Sequence, residues 1–310
     1  MQKQHQVLYT ADIHGNELQY AKLIELAVNV NADSIIIGGD IAPKGESSTT
    51  AHMEKLKTQG ISIDAFIDMQ RCFLKERLPE LVRPLKDKLP NAKLFLMMGN
   101  DDCSCNLDVL MKHDGDLYFV VHERRFRLND DFDIVGYSYV PITPFGIKDW
   151  EKFDMSLVPQ ELQKEYSKRK QTNYRLAGLF SSDFGWTPFQ FSSAMETKDS
   201  IQKDLSEESF RKNSVKTVYV IHTPPNNTNL DQLVGKRHVG SFAVRQFIEQ
   251  AQPYLTLHGH IHETVDVSGS FKDVIKNSVC LSPGNYPESQ YLKVLSFNLY
   301  DLRTVQRLIV

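Results

Sequence analysis

Cysteine, long apolar runs and an excess of charge of one sign are scarce or missing in this sequence of 310 residues. Its four cysteines are Cys72, Cys103, Cys105 and Cys280. Apart from one Cys-x-Cys they are scattered, which is unlike the disulfide framework of a small secreted domain. The cysteines indicate reduced thiols, and they predict a cytoplasmic protein.

The sequence also has no segment suited to a membrane. It contains no run of about 18 apolar residues, which a membrane-spanning helix would need. Residues 1–6 are polar and lack the apolar core of a signal peptide. We therefore expect no membrane partner.

The charge and composition are those of an ordinary globular protein. Acidic residues slightly outnumber basic ones, with a net charge of -3, so a nucleic-acid-binding surface is not indicated. A hydrophobic content of 41% and a charged content of 24% are ordinary for a soluble chain. The length allows one large domain or two small ones. No internal repeat or low-complexity tract occurs.

Five short apolar runs are each followed, within a few residues, by a side chain able to bind a metal ion. These runs are residues 7–11, 34–37, 93–98, 217–221 and 254–257. After the first run, residues 16–29 have the apolar spacing of a helix. A repeated order of strand, polar residue at the strand end and helix predicts an α/β sheet. The functional site is then expected beyond the carboxyl ends of the strands.

A second group of strands is predicted in the remainder of the chain. The candidates are residues 132–137, 264–267, 278–281, 292–299 and 304–310, separated by Gly, Pro and Asn turns. They suggest a second, largely antiparallel sheet packed on the first.

Two segments interrupt this plan. Residues 42–90 begin as a polar loop and continue as a long helix, which Pro79 and Pro84 either kink or end early. Residues 141–213 contain both tryptophans, Trp150 and Trp186, and many other aromatics. A segment of that size is expected to be an inserted subdomain. It either forms a small core of its own or covers the site as a lid.

The polar residues that follow the predicted strands form an ordered set of motifs. They are Asp12-Ile13-His14, Gly39-Asp40, Gly99-Asn100, His222 and Gly259-His260-Ile261-His262. Asp12 and His14 alternate along a strand end, so their side chains are expected on the same side. Imidazole, carboxylate and amide groups of this kind suit two divalent metals about 3.5–4 Å apart.

In this order the motifs resemble those of the calcineurin-like metallophosphoesterase family. The resemblance spans Asp12 to His262, most of the chain. Further similarity, to a cytoplasmic subgroup, lies in residues 144–151, in 238–241 and in Pro283-Gly284-Asn285. The resemblance implies an α/β fold, a four-layer α/β/β/α sandwich of a single domain over residues 1–310, with residues 141–213 as a lid-like insertion.

The resemblance also implies which residues bind metal. The first ion would be held by Asp12, His14, Asp40 and His262. The second would be held by Asp40, which bridges both ions, with Asn100, His222 and His260. Mixed N and O ligands suit Mn, Fe, Zn, Co or Ni. The other six histidines match no ligand position, although His258 is close enough to support one.

One position departs from the family pattern. Phosphomonoesterases of the family have a histidine directly after Gly-Asn, thought to stabilise the transition state or protonate the leaving group. Here the residue is Asp101, followed by Asp102. The metal site is expected to survive, but the identity of the general acid is in question. A carboxylate beside a phosphate repels it unless protonated or turned away, so Asp101 is either a catalytic group or a structural one.

The resemblance implies a hydrolase that cleaves a small phosphate ester by attack of a metal-bridging hydroxide. The missing histidine favours phosphodiesters. Asp40, Asn100 and Asp101 are the candidate catalytic residues. A catalytically silent binding scaffold and a hydrolase of a non-phosphate bond remain as alternatives. The intact ligand positions argue against the scaffold.

Overall fold

The computed structural model describes residues 3–44 and 64–310. Most of the polar loop expected at the start of residues 42–90 lies outside these residues. In chain order the strands are β1 (Gln6–Thr10), β2 (Ser34–Gly38), β3 (Lys93–Met97), β4 (Phe119–Val120), β5 (Arg125–Arg127), β6 (Asp133–Tyr137), β7 (Val140–Pro141), β8 (Glu151–Lys152), β9 (Ala177–Ser182), β10 (Gly185–Gln190), β11 (Thr217–Ile221), β12 (Gln232–Leu233), β13 (Arg237–His238), β14 (Leu255–Leu257), β15 (Lys272–Ile275), β16 (Ser278–Leu281), β17 (Lys293–Asn298) and β18 (Asp301–Ile309).

The helices lie mostly between these strands. They are α1 (Glu17–Asn29), α2 (Asp64–Cys72), α3 (Leu78–Lys88), α4 (Leu107–Leu110), α5 (Gln163–Asn173), α6 (Ser193–Lys198), α7 (Ile201–Ser206), α8 (Glu208–Arg211), α9 (Phe242–Ala251) and α10 (Thr264–Ser268). A π-helical turn, Phe73–Arg77, connects α2 to α3. Among the described residues, no helix is long and apolar enough to span a bilayer.

Two six-stranded mixed sheets form the centre of the fold. The first has the order β18-β17-β1-β2-β3-β4, and the second has the order β15-β16-β14-β11-β6-β5. Strands β1 to β4 run parallel in the first sheet. Strands β6, β11, β14 and β16 run parallel in the second, whereas β5 and β15 pair antiparallel at its edges.

Alternate residues of the central strands enter two different cores. Ile35 and Ile37 of β2 pack with helices α1 and α3 on the outer face of the first sheet. Ile36 points the opposite way and packs between the sheets. A third core lies between the second sheet and α9. Because both faces of these strands are covered, their sequences are continuously apolar. The result is the α/β/β/α sandwich that the sequence predicted.

The division of strands between the sheets differs from the prediction. The predicted second sheet was largely antiparallel, but its four central strands are parallel. Strands β17 and β18, predicted for the second sheet, extend the first one beside β1. Strands β11 and β14, which precede predicted ligands, belong to the second sheet. Strands of both sheets are buried on both faces, so their sequences are similarly apolar. The sequence pattern alone therefore does not assign a strand to one sheet or the other.

Residues 264–267 were predicted as a strand, and this was wrong. They form α10, which begins two residues after His262 and ends at Ser268, before Gly269 with its φ of 78°. Thr264 donates a hydrogen bond from Oγ1 to the carbonyl of Asn229. The β-branched residues Thr264 and Val265 favour strands in general, but tertiary contacts override that preference here.

Pro79 and Pro84 do not end the helix. The π-helical turn ends at Arg77, two residues before Pro79, whose missing N–H removes a helical hydrogen bond. Helix α3 then continues through Pro84 to Lys88. Its buried face, which includes Val82 and Leu85, packs on the first sheet.

Residues 141–213 contain strands β8 to β10 and helices α5 to α8. Ile142, Phe153 and Phe191 form a small apolar core with Tyr174 and Phe189 packed against it. Trp186 instead stacks on Phe66 of α2, with ring centroids 6.2 Å apart. The aromatics of this segment thus pack both on one another and on the main body.

Candidate metal centre

The loops after β1, β2, β3, β11 and β14 meet at one end of the sandwich. These strands are parallel within each sheet, so their carboxyl ends lie at the same edges. The two sheets present those edges to one another. As a result the structure brings together all seven predicted metal ligands: Asp12, His14, Asp40, Asn100, His222, His260 and His262.

Four of these residues form one tight cluster. The ligand atoms of Asp12, His14, Asp40 and His262 all lie within 4.8 Å of one another. Nε2 of His14 is 3.4 Å from Nε2 of His262 and 3.5 Å from Oδ2 of Asp40. These are the four residues that family resemblance implied for the first ion.

The remaining three residues gather on the other side of Asp40. Nε2 of His222 is 3.3 Å from Oδ2 of Asp40 and 3.1 Å from Oδ1 of Asn100. Oδ1 of Asn100 is also 2.6 Å from Nδ1 of His260. Asp40 therefore lies between the two groups of side chains.

The backbone of these loops is unusual. Asp12, His14, Asp40 and His260 all have positive φ, with values of 57, 47, 52 and 68. Left-handed backbone at a non-glycine residue costs of order 1–3 kcal/mol and persists where the surroundings enforce it. The prediction that Asp12 and His14 alternate on an extended strand end was therefore wrong in its reason. A left-handed turn makes the two side chains converge.

Backbone hydrogen bonds hold the first two loops together. The N–H of Asp12 donates to Gly39 over 3.1 Å, and the N–H of His14 donates to Asp40 over 2.8 Å. Two glycines allow the backbone of the loops to lie close to the side chains of His222 and Asp40. A Cβ on Gly39 would lie 2.6 Å from Nδ1 of His222, and one on Gly99 would lie 2.4 Å from Oδ1 of Asp40.

Buried polar residues that the sequence did not reveal support the ligands. Asp102 accepts hydrogen bonds from the N–H groups of Ile41, Ala42 and Gly99, so it joins the second and third loops. Asn285 donates to the carbonyls of Ala11 and Asp12, 3.2 Å from each. In the sequence, Asp102 was noted only as the residue after Asp101, and Asn285 only as part of Pro283-Gly284-Asn285. Neither pattern indicated a role in supporting the ligands.

His258 supports the loop that carries His222. Its Nδ1 lies 2.9 Å from the carbonyl of Ile221 and 3.0 Å from that of Thr223. His222 is oriented in the same way, because its Nδ1 lies 2.8 Å from the carbonyl of Gly38. In the neutral ring, an Nδ1–H bonded to this carbonyl leaves Nε2 of His222 with its lone pair aimed at the cluster.

Burial keeps three of the imidazoles neutral. It lowers the pKa of His260 to about 3, and it lowers the pKa of His14 and that of His262 below the ordinary value. A histidine must be neutral to bind a metal. The facing Nε2 atoms of His14 and His262 therefore include at least one lone pair directed at the centre of the cluster.

The carboxylates make the cluster a site for cations. Burial raises the pKa of Asp12 to about 7, and the negative charge of Asp40 adds to that shift. Burial would also raise the pKa of Asp40, but the neighbouring imidazoles outweigh burial and lower it. Burial would lower the pKa of His222, yet Asp40 raises it to about 9. The site therefore favours positive charge beside Asp40.

The donor set fits divalent metal ions. Buried carboxylates require a compensating charge, and carboxylate, imidazole and amide groups are ligands of transition metals. The carboxylate of Asp40 lies close to both groups of side chains.

Asp101, the residue in place of the expected histidine, is buried at the rim of this cluster. Its backbone N–H donates to Oδ1 of Asp40 over 2.9 Å. Its own carboxylate accepts a hydrogen bond from Nδ2 of Asn100 over 2.9 Å and lies 3.0 Å from the ammonium of Lys44. Burial would lower the pKa of Lys44, but Asp101 outweighs it and raises that pKa. Lys44 is a cation at the site that the motifs did not predict.

A family model for calcineurin-like phosphoesterases matches residues 5–264. The matched range includes every residue of the cluster and both central sheets except β15 to β18. The fold and the cluster are those of a metal-binding hydrolase. The chain belongs to the calcineurin-like phosphoesterase family, which acts on phosphate esters and depends on two metal ions.

Solved structures match this chain to different degrees. One matches 99% of this chain and 99% of its own, with a TM-score of 0.57 and 14% identity. A dimetal phosphatase from Danio rerio matches at 11% identity over 95% of each chain, with a TM-score of 0.45. A 5'-nucleotidase from Candida albicans matches at 14% identity over 100% of this chain and 52% of that chain, with a TM-score of 0.46. No curated protein matches the chain in sequence.

Proposed function

We propose that this protein is a dinuclear-metal-dependent phosphoesterase that hydrolyses small phosphate esters and favours phosphodiesters. The observation that carries the proposal is the position of Asp40. Its Oδ2 is 3.5 Å from Nε2 of His14 and 3.3 Å from Nε2 of His222. Membership of the calcineurin-like family supports the reaction class.

In this proposal Asp12, His14, Asp40 and His262 hold one ion, and Asp40, Asn100, His222 and His260 hold the other. The ions are Mn, Fe, Zn, Co or Ni, which all accept mixed N and O ligands. When bound, two such ions lower the pKa of a water nucleophile and take up charge on the phosphoryl oxygens. The seven side chains supply the fixed positions that this chemistry requires.

The loops around the ligands keep these positions rigid. Asp102 joins the loop after β2 to the loop after β3 through three backbone N–H groups. The N–H of His260 donates to Asp12 over 3.0 Å and thereby connects the last loop to the first. A site held in this way needs little rearrangement when the substrate reacts.

The preference for phosphodiesters rests on Asp101. Both of its carboxylate oxygens already have donors, one from Asn100 and one from Lys44. A carboxylate occupied in this way is a poor proton donor for a leaving group. Esters with good leaving groups do not need such a donor, and aryl phosphodiesters are esters of that kind.

The test is a panel of phosphate mono- and diesters with protein loaded separately with Mn, Fe, Zn and Ni. We expect turnover of bis(p-nitrophenyl) phosphate with at least one metal and none after chelation. Loaded protein that binds two ions but hydrolyses no phosphoester would contradict the proposal and would favour the silent scaffold.

We also propose a cytoplasmic location. All four cysteines are free thiols in the structure. Proteins of reducing compartments usually keep their cysteines in that state. Fractionation of cells that express a tagged chain would test the location, and recovery outside the cytoplasm would overturn it.

A further inference from the structure

A cavity of about 320 Å³ lies next to the metal centre, on the side of His260. His260 and Ile261 of the metal-binding loop form one part of its wall. The inserted segment forms the opposite part, with residues 141–145 and 172–174. Part of the inserted segment 141–213 therefore faces the proposed metal site across a cavity.

The lining is largely apolar and partly aromatic. It includes Phe145, Tyr174, Leu233 and Val239. Small-molecule pockets have volumes of about 300–1,000 Å³ and are lined mainly by apolar and aromatic side chains. This cavity is at the lower end of that range, so a single ring system or a nucleoside fits its volume.

The charges of the lining are all positive. Arg169 and Arg237 contribute to the wall, and no acidic residue does. Arg169 is committed to the fold, since its guanidinium donates to the carbonyls of Gly240 and His238 and to Oδ1 of Asn226. Arg237 is exposed, and its side chain makes no hydrogen bond or ion pair with residues 3–44 or 64–310, which the structure describes. Its guanidinium is available to a ligand.

The wall beside Phe145 is rigid. The ammonium of Lys148 is buried and donates to the carbonyl of Thr143 over 3.0 Å and to Glu151 over 2.7 Å. Glu151 also accepts from the N–H of Thr143 over 3.1 Å. The N–H of Phe145 donates to Oγ1 of Thr143 over 3.1 Å. This buried ion pair lies within residues 144–151, a motif that the metal ligands do not explain.

We propose that this cavity binds the organic group of the phosphate ester, and that the preferred group is compact and aromatic with a negative charge near Arg237. The proposal rests on the proposed function, because it assumes that the phosphate lies on the metal centre beside His260. From that position an ester group extends directly into the cavity. An aromatic ring then packs on the apolar lining, and an anionic substituent pairs with the free guanidinium.

The test uses phosphonates, which are not hydrolysed and carry one organic group each. Binding of methylphosphonate, phenylphosphonate and the 3- and 4-carboxyphenylphosphonates to Mn-loaded protein is measured by calorimetry. We expect phenylphosphonate to bind about tenfold more tightly than methylphosphonate, from burial of the ring. One carboxyphenyl isomer should bind several-fold more tightly again, from its pairing with Arg237.

Two variants separate these contributions. Val239→Trp fills the cavity and should abolish the preference for phenyl while methylphosphonate binds as before. Arg237→Gln should abolish only the gain from the carboxylate. Val234→Trp is the matched control, since Val234 is 80% exposed and does not line the cavity. Phe145→Ala, which should weaken the phenyl preference about threefold, serves if Val239→Trp does not fold.

The outcomes distinguish a failure of the cavity proposal from a failure of the proposed function. If all phosphonates bind equally, or if Val239→Trp keeps the phenyl preference, the cavity is not the subsite and the proposed function stands. If Arg237→Gln keeps the gain from the carboxylate, the anionic part of the proposal is wrong. If no phosphonate binds to the metal-loaded protein, the proposed function fails together with this inference.

Discussion

The ammonium nitrogen of Lys44 lies 3.0 Å from Oδ2 of Asp101, and Oδ1 of the same carboxylate accepts a hydrogen bond from Asn100. Asp101 occupies the position directly after Gly99-Asn100, where the family resemblance led us to expect a histidine. Its carboxylate is turned toward Lys44, and only 7% of its side chain is exposed. The pairing removes most of the repulsion that a carboxylate would exert on a bound phosphate.

The first prediction concerns Asp101 as a proton donor. The wild-type protein should hydrolyse aryl phosphodiesters far better than alkyl phosphomonoesters, because general acid catalysis of typically about 10²–10⁴-fold is missing for a poor leaving group. Asp101→His should raise the monoester rate relative to the diester rate, as measured by kcat/KM for both substrates. A wild-type preference for alkyl monoesters that Asp101→Asn destroys would make Asp101 the acid and this interpretation wrong.

The second prediction concerns the pair Lys44 and Asp101. Lys44→Met leaves the Asp101 carboxylate without its cation and should lower kcat/KM about tenfold, mainly through KM, because phosphate is repelled. Adding Asp101→Asn should restore part of that loss, since it removes the uncompensated charge. Lys112→Met, on an exposed part of the surface, is the control. Strictly additive effects of the two substitutions would show that the pair does not act together.

The third prediction concerns the ligands themselves. The wild-type chain should bind two divalent ions, and Asp40→Ala should bind fewer than one, since both sites lose a ligand. Asp40→Ala and His222→Ala should abolish turnover, whereas His113→Ala, outside the cluster, should stay near wild type. Metal content is measured by inductively coupled plasma mass spectrometry and activity by kcat/KM. Full activity of metal-loaded Asp40→Ala would rule out the bridging role.

The fourth prediction uses a glycine as a probe of the geometry. A Cβ on Gly99 would lie 2.4 Å from Oδ1 and 2.5 Å from the backbone N of Asp40, and neither atom can move freely. Gly99→Ala should displace Asp40 and lower kcat/KM about 10²-fold, as misplacements of about 1 Å do. Gly146→Ala is the control, because a Cβ there meets nothing within 4 Å. Equal kinetics of the two variants would show that Asp40 does not need this position.

The fifth prediction concerns pH and stability. Burial lowers the pKa of His122 to about 3, compared with about 6.5 in an unfolded chain. Between these values only the unfolded state binds the proton, so the free energy of unfolding falls as the pH falls through this window. The loss from pH 6.5 to pH 5 is up to about 2 kcal/mol.

His122→Asn isolates this contribution. The amide oxygen of asparagine can accept the N–H of Ser138, which His122 accepts through Nδ1 over 3.0 Å. The variant should be less stable at pH 7, because the ring no longer packs on Trp150, but its stability should depend less on pH. Urea unfolding at pH 7, 6 and 5 measures the difference, with His113→Asn as the control. Parallel pH profiles of wild type and His122→Asn would contradict the prediction.

The class of fold and the residues of the cluster could be predicted from the sequence. Asp12, His14, Asp40, Asn100, His222, His260 and His262 were identified because each follows a short apolar run, and parallel strands end at a common edge. The resemblance of these motifs to the calcineurin-like family implied the four-layer architecture. These features are local or ordered along the chain, so a pattern of residues is enough to recognise them.

The contacts between distant segments could not be predicted from the sequence and are seen in the three-dimensional fold. Strands β17 and β18 join the first sheet and α10 replaces a predicted strand, because packing partners outweigh local propensity. Asp12 and Asp40 are held in left-handed backbone by hydrogen bonds between two loops. The pairing of Lys44 with Asp101 joins residues 57 positions apart along the chain. Contacts of this kind depend on three-dimensional proximity, which spacing along a single sequence does not encode.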